Sequence, residues 1–470
     1  MRALSVRSAT YLAVAALMLV SAAAAMAQPM NVPASYGGDL GERPRLTGDW
    51  GGLRDELSSK GIDFGLDLTQ VLQGTAAGGK NTGVAYGGLA DYRLGFDSGK
   101  SGLWPGGFVN IHAESNFGGN ENRSSGAFFP ANTVTFFPSI SNDTTTTALM
   151  NATVMQFANE WAGVVLGKID TIDGQGGEFS GNYRTQFMNA GFAWNLVNSL
   201  MPVSTYGGGL VFLPTKDSQV TFSALGPQGT PTDNDIGNSF DDGVVLTGQG
   251  KFAVNPWGLL GHQQLGFTWG NATRPSLEQD PSNIADALLK TKFPRLANPG
   301  PALTRILQRF YPQLLTPTQP LNTESSTWTV FYNADQYIWQ PEGHPDRGIG
   351  LFTGIGTSDG NPNPIKYSFT AGIGGKGIVP GRPGDSFGIG WSRAQFSSDF
   401  VPFLRNNLGL GLSHEDTVEA YYNMALTPAL GLTLDLQAID PALKKQLNAA
   451  GQLEDVNTAF MAGLRLYARF

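Results

Sequence analysis

Apolar and polar residues alternate along most of this chain with a period of two. From Phe460 to Phe470 every even position is apolar (Phe460, Ala462, Leu464, Leu466, Ala468, Phe470), while Arg465 and Arg469 take odd positions. Leu430, Leu432, Leu434 and Leu436 alternate with Gly431, Thr433, Asp435 and Gln437. Ile62, Phe64, Leu66 and Leu68 alternate with Asp63, Gly65, Asp67 and Thr69. Successive side chains of a strand point to opposite faces, so the pattern predicts strands with one apolar side and one wet side. A soluble sandwich alternates too, but it carries charges on much of its wet face, where this chain carries Gly, Thr and Gln. A terminal Phe ending an alternating strand also suits a membrane barrel.

Counted back from the C-terminus, strands are predicted at 459–470, 430–439, 416–426, 386–396, 366–377, 348–356, 326–339 and 262–271. Eight more follow at 243–253, 218–225, 204–212, 162–169, 148–157, 105–114, 86–97 and 62–72. Sixteen is an even number, as a bacterial single-chain barrel requires. The connections differ in length between the two ends. Compact turns run from Ser98 to Trp104, Pro214 to Asp217, Asn255 to Gly261, Gln340 to Arg347 and Val379 to Asp385, and through Thr427-Pro428-Ala429. The other end carries 115–147, 170–203, 226–242, 272–325, 397–415 and 440–458. Short periplasmic turns opposite long external loops are a property of outer-membrane barrels. The expected fold is therefore all-β: a single-domain transmembrane antiparallel barrel over 61–470, with 272–325 as a long external loop. A short helix, Gly48 to Lys60 with Asp49 as its cap and Trp50, Leu53 and Leu57 at helical spacing, falls within the periplasmic segment 28–60. Pro281 to Lys290 and Pro301 to Tyr311 read as two more helices. Lys290, Lys292, Arg295, Arg305 and Arg309 lie in that same loop, which reads as a solvated external loop, a lid over the pore or a contact for lipopolysaccharide.

Composition narrows the picture. The 470 residues include no Cys, which rules out a disulfide scaffold, a thiolate metal site and a cysteine nucleophile. Charged residues make up 14%, well under the ~25% of soluble domains, and there are 62 Gly. A net charge of −8 argues against nucleic acid, since binding needs cations that displace phosphate counterions. Arg2 and Arg7, the apolar run Tyr11 to Val20 and the small-x-small Ala25-Met26-Ala27 make residues 1–27 a signal peptide, with cleavage expected before Gln28. Beyond residue 28 no window reaches the ~18–20 apolar residues of a spanning helix. An exported chain of this kind is either soluble or closed into a barrel, the other structure that satisfies its backbone in lipid. The alternation selects the outer membrane of a Gram-negative bacterium. Its lipid, its lipopolysaccharide and the barrel-assembly machinery are then the expected partners; a homo-oligomer is not derivable.

Once the strands are placed, a family pattern emerges. Leu46-Thr47-Gly48-Asp49-Trp50-Gly51-Gly52-Leu53-Arg54-Asp55-Glu56-Leu57, followed by Gly61-Ile62, resembles the opening signature of the OprB-type carbohydrate-selective porins. Asp335-Gln336-Tyr337-Ile338-Trp339 agrees with that family. So do Gly374-Gly375-Lys376-Gly377 with Pro380-Gly381-Arg382-Pro383 and Asp385, and Tyr421-Tyr422-Asn423 with Leu426-Thr427-Pro428. The resemblance runs from about residue 46 to Phe470 and implies a sixteen-stranded outer-membrane sugar channel without enzymatic activity. The 115–147 and 170–203 loops resemble the family least.

Other motifs fail on context. Gly372 to Gly377 fits G-x-G-x-x-G, but Ile378-Val379-Pro380-Gly381 follows where a dinucleotide site needs a helix. Gly95 to Ser101 is one residue short of a P-loop. Asp233-Asn234-Asp235-Ile236-Gly237 lacks the terminal Glu of a calcium loop, leaving only opportunistic cation binding with Asp241 and Asp242. His112, His262, His344 and His414 are scattered, and no G-x-S-x-G marks a nucleophile for a barrel hydrolase. Catalytic, cofactor and metal residues are therefore expected to be none.

What remains is the lumen. The faces opposite the apolar stripes supply Asp63, Asp67, Asp91, Arg93, Asn110, His112, Glu114, Glu419, Tyr421, Asp435, Arg465 and Tyr467 as candidate pore-lining or sugar-contacting residues. They belong to consecutive strands around the seam where last meets first. Carboxylates, Arg and amides offer partners to sugar hydroxyls, and the Tyr rings offer faces for C–H stacking. Arg465 is expected to pair with Asp435 and with Asp63 or Asp67. Three readings remain open: passive diffusion of sugars such as glucose, a general porin for small solutes and ions, and an exported glycan-binding sandwich.

Overall fold

A computed structural model of the chain describes residues 32–139, 145–173, 176–280, 319–400, 412–447 and 452–470, with a few isolated positions between them. Its strands in chain order begin with β1 (Ile62–Gly79), β2 (Gly83–Asp97), β3 (Gly107–Gly118), β4 (Thr146–Phe157) and β5 (Ala162–Asp170). Next come β6 (Ser204–Thr215), β7 (Ser218–Leu225), β8 (Val245–Val254), β9 (Gly261–Gly270), β10 (Arg274–Pro275) and β11 (Thr323–Glu324). Then follow β12 (Thr327–Trp339), β13 (Gly348–Ser358), β14 (Ile365–Lys376), β15 (Ser386–Phe396) and β16 (His414–Thr427). The chain ends with β17 (Leu430–Asp440), β18 (Lys445–Leu447), β19 (Leu453–Asp455) and β20 (Asn457–Arg469). Sixteen of these close an antiparallel barrel in chain order, with β20 pairing back on β1; β10–β11 and β18–β19 form small two-stranded sheets in the long loops.

The alternation becomes two surfaces. Across the seam, Leu434, Leu464, Leu72 and Tyr86 are register partners in one outward row, all exposed to the barrel's surroundings. One residue along, Thr433, Arg465 and Val71 form an inward row that is buried. Closure leaves no open strand edge, so the ladders pair backbone groups without water, which is what a wall in lipid needs.

Two elements differ from expectation. β1 continues past residue 72 to Gly79, through a Gly- and Ala-rich end that lacks alternating large residues but still pairs with β2 and β20. The helix near the N-terminus, α1, covers only Leu53–Ser59, and Asp49 is not its cap. Gly52, at φ 92°, holds that position, while the Asp49 carboxylate accepts the Gly51 N–H at 3.1 Å. The buried side of α1 is Arg54 and Ser58, whereas Trp50 and Leu53 are exposed. Arg54 turns inward because the barrel end offers it carbonyls: its guanidinium donates to Phe64 O at 2.7 Å and Phe470 O at 3.0 Å, between the rings of Tyr36 and Trp50. α1 thus packs at the end of the barrel that carries the short turns. The two helices expected between Pro281 and Tyr311 fall almost wholly outside the described residues, and the signal segment lies outside them too.

The barrel is not hollow. The loops 119–139 and 171–203 fold inside it and pack against each other, Thr133 N donating to Met188 O and Ala190 N to Pro130 O. Their side chains join wall residues in apolar clusters: Val134, Tyr183, Met188 and Ala193 meet Val71 and Leu89, while Phe179, Phe187 and Phe192 meet Tyr337, Phe352 and Tyr421.

Candidate functional site

The 171–203 loop is held against the seam wall by charge. Arg184, near the middle of the loop, donates to Asp91 on β2 at 2.6 and 3.0 Å, to Glu114 on β3 at 2.6 Å and to Asp173 at 2.7 Å. His112 lies 2.9 Å from Asp91, and Arg93 joins Asp91, Asp173 and Asp67 at 3.1–3.4 Å. Asp67 also pairs with Arg45 and accepts from the Tyr467 hydroxyl at 2.8 Å. Such a cluster is stable away from water only because nearly every carboxylate has a cationic or N–H partner. Asp91, His112 and Glu114 approach metal-ligand spacing. The Arg184 guanidinium already stands between the two carboxylates, so the residues do not fit an added metal ion.

Farther around the seam the loop backbone is gripped directly. Arg465, fully buried on β20, donates to Tyr183 O at 3.0 Å, Gln186 O at 2.6 Å and Thr433 Oγ1 at 3.0 Å. Glu419 on β16 accepts the N–H groups of Met188 at 2.5 Å and Asn189 at 3.0 Å. Glu415 does the same for the 119–139 loop, accepting from Phe128 N at 2.6 Å and Phe129 N at 3.1 Å. Gln437 donates to Ala131 O and to Asp435, both at 2.9 Å.

On the far wall the loop is held by shape. Phe187 stacks on Phe192 and meets Tyr421 edge-on, with ring centroids 4.4 and 4.8 Å apart. The rings fit because β13–β15 turn glycines toward them. A Cβ at Gly350 would stand 2.2 Å from Phe179, one at Gly388 2.7 Å from Phe187 and one at Gly390 2.6 Å from Phe192.

An open space lies between this loop and β8–β14. Its walls are Lys251, His262, Gln264, Asn333, Asp335, Phe352, Thr353 and Thr370, faced by Gly176, Gly177, Phe192, Trp194 and Asn195 of the loop. An amide relay crosses it: Asn195 donates to Asn333 at 3.2 Å, Asn333 to Gln264 at 3.0 Å and Gln264 to Gln249 at 3.1 Å. Asp335 meets His262 at 2.8 Å and accepts Glu178 N at 3.2 Å; Glu178 in turn pairs with Lys376 at 2.7 Å.

None of the twelve residues expected from the sequence lines this space. The structure brings Asp67, Asp91, Arg93, His112, Glu114 and Tyr467 into the Arg184 cluster and sets Glu419, Tyr421, Asp435 and Arg465 under the loop. Asp63 sits apart, accepting from the Tyr36 hydroxyl at 3.3 Å, and Asn110 gives its carbonyl to Asn151 at 3.2 Å. The expected Arg465 partners Asp63 and Asp67 are engaged elsewhere, because the register sets Arg465 opposite Val71, with Asp67 and Asp63 farther along β1, and its guanidinium takes loop carbonyls instead. The Asp233–Gly237 segment holds a cation of the protein's own: the Lys168 ammonium donates to Pro231 O at 2.9 Å, Asp233 O at 2.7 Å and Asn234 Oδ1 at 2.9 Å.

A closed sixteen-stranded barrel whose interior is narrowed by inward loops has the architecture of a diffusion channel. Residues 81–470 match the family described as "Carbohydrate-selective porin, OprB family", and the chain belongs to that family. Among solved structures, the high-pH form of Pseudomonas putida OprB is 21% identical, with a TM-score of 0.71 over 92% of this chain and 100% of that one. The low-pH form of the same protein is 17% identical, with a TM-score of 0.53 over 92% of this chain and 99% of that one. At such identities the likeness speaks for the fold alone. Comparison with curated proteins gives no match.

Proposed function

We propose that the chain is a passive channel through which monosaccharides such as glucose, and related small carbohydrates, cross the outer membrane into the periplasm. The observation that carries this reading is the chemistry of the space between the inward loop and the wall. Asn195, Asn333, Gln264, Thr353 and Thr370 put amides and hydroxyls on the wall, and Trp194 adds an apolar ring face. Such groups exchange hydrogen bonds with sugar hydroxyls as water does, giving wells deep enough to enrich solute and shallow enough to release it. In this reading the seam-wall charges set the width of the passage by holding the loop. Residues 1–27 are a signal peptide removed on export, α1 is periplasmic and 272–325 is external.

Reconstitution in planar bilayers with size-matched sugars and salts tests the reading. Ion current blocked saturably by glucose supports it. Conductance that depends on solute size and charge alone, without sugar saturation, makes the protein a general porin instead.

A further inference from the structure

One cation lining this space, Lys251, has hydrogen-bonding capacity to spare among the described residues. The half-buried Lys251 ammonium donates one N–H to Gly176 O at 3.0 Å, and among the described residues no carboxylate stands within ion-pair distance of it. The other charges facing the space are already engaged. Asp335 gives one oxygen to His262 and the other to Glu178 N; Glu178 is held by Lys376 and by the Tyr337 hydroxyl at 3.2 Å. Among the described residues the Lys251 ammonium's other two protons have no acceptor, and Lys251 lines the space beside a relay of neutral amides.

Building on the sugar-channel reading, we propose that Lys251 makes the narrow passage favour sugars that carry a carboxylate, aldonates and uronates, over neutral sugars of the same size. A neutral ring finds its partners in the amides and hydroxyls. A carboxylate finds acceptor oxygens among them as well, which repel it, and the ammonium supplies the charge-assisted donor that offsets this. Walls of low dielectric strengthen that attraction relative to open water. The passage stays wet, so the bound acid is released.

The test is flux of glucose and gluconate into liposomes containing the full-length barrel, at low and high ionic strength. Gluconate should enter faster than glucose at low salt, and the ratio should fall several-fold at high salt, because screening acts on charge and not on size. Lys251→Gln should lower the gluconate-to-glucose ratio several-fold at low salt, and Lys251→Arg should retain it, with heat-dependent gel migration confirming that each variant is folded. Gluconate no faster than glucose, or a ratio indifferent to Lys251→Gln, overturns this proposal while leaving the sugar channel standing. Flux of neither solute overturns both.

Discussion

The guanidinium of Arg465 donates to the carbonyl oxygen of Tyr183 at 3.0 Å, tying the last strand of the barrel to the loop that narrows it. Replacing Arg465 by Met keeps much of the bulk but strands two buried carbonyls, each costing about 1–3 kcal/mol. The wall ladder does not use this side chain, so Arg465→Met should still assemble as a closed barrel, with the lost stability falling on the loop. The loop should loosen, and single-channel conductance should rise with more open-state noise. Unchanged conductance would show that Arg184 and Glu419 hold the loop without help.

Gly388 tests the same loop from the opposite wall. A side chain there meets the rings of Phe187 and Tyr421 at 2.7 Å, and Tyr421 is fixed on β16. Gly388→Val should push Phe187 away and change conductance in a barrel that still closes. Proteolysis inside the 171–203 loop, absent in the parent, would report the displacement.

Neighbouring positions on β20 should respond in opposite ways. Leu464 faces outward, so Leu464→Arg places a charge in the apolar band at a cost of about 2–4 kcal/mol near the midplane. Gly463 faces inward with 3.4 Å of clearance to Met188, an ordinary contact for a methyl group. Gly463→Ala should fold normally while Leu464→Arg loses heat resistance. Equal tolerance of the two changes would mean that the faces are reversed.

Acid should weaken one of the short turns. Burial raises the pKa of Asp385, but hydrogen bonds from Arg382 at 3.0 Å, Tyr422 at 2.6 Å and Ala425 N at 2.9 Å outweigh it, leaving the group below its usual 3.8. A depressed carboxylate contributes stability that is present above the ordinary value and lost as pH falls through the native one. Asp385→Asn should therefore unfold at lower temperature than the parent at pH 7, and the two should converge in strong acid. A constant difference across that range would leave the ionised form without a role.

Orientation is open to labelling on intact cells. A tag within 272–325 should be reached by an impermeant reagent. One at Gly343, which sits in an open turn at φ 75° with nothing near its Cβ, should not. Labelling only at Gly343 would turn the barrel over.

The wall was legible because each strand carries its own signature. Ser386–Phe396 and Ser218–Leu225 fall where the alternation puts them, while the end of β1 does not, because Gly74 to Gly79 offer no large side chain to alternate. The interior was much harder to read. Its signal lay in residues that break the rule for a wet face: Val71, Leu89, Phe331 and Phe352 point inward, as do Gly350, Gly388 and Gly390. Apolar and absent side chains on a lumenal face mark where a loop docks, but only after the loop is known to enter. The charges around the seam, Asp91, Glu114, Glu419 and Arg465 among them, hold the loop. Lys251, His262 and Asp335, on strands far from either terminus, carried no comparable mark beyond the Asp335–Trp339 motif.

Arg54 and Phe470 stand 416 residues apart in the chain and 3.0 Å apart in the fold. One of the three hydrogen-bond partners of Arg54 is therefore made last, and Leu46 likewise leans on Arg469 through a backbone hydrogen bond of 2.8 Å. A barrel zipped only partway gives the N-terminal segment no seat, whatever the state of its own helix. Residues 36–60 have their full set of contacts only once the seam has closed. During assembly they should become resistant to protease later than any strand, a chemical signature of a finished wall.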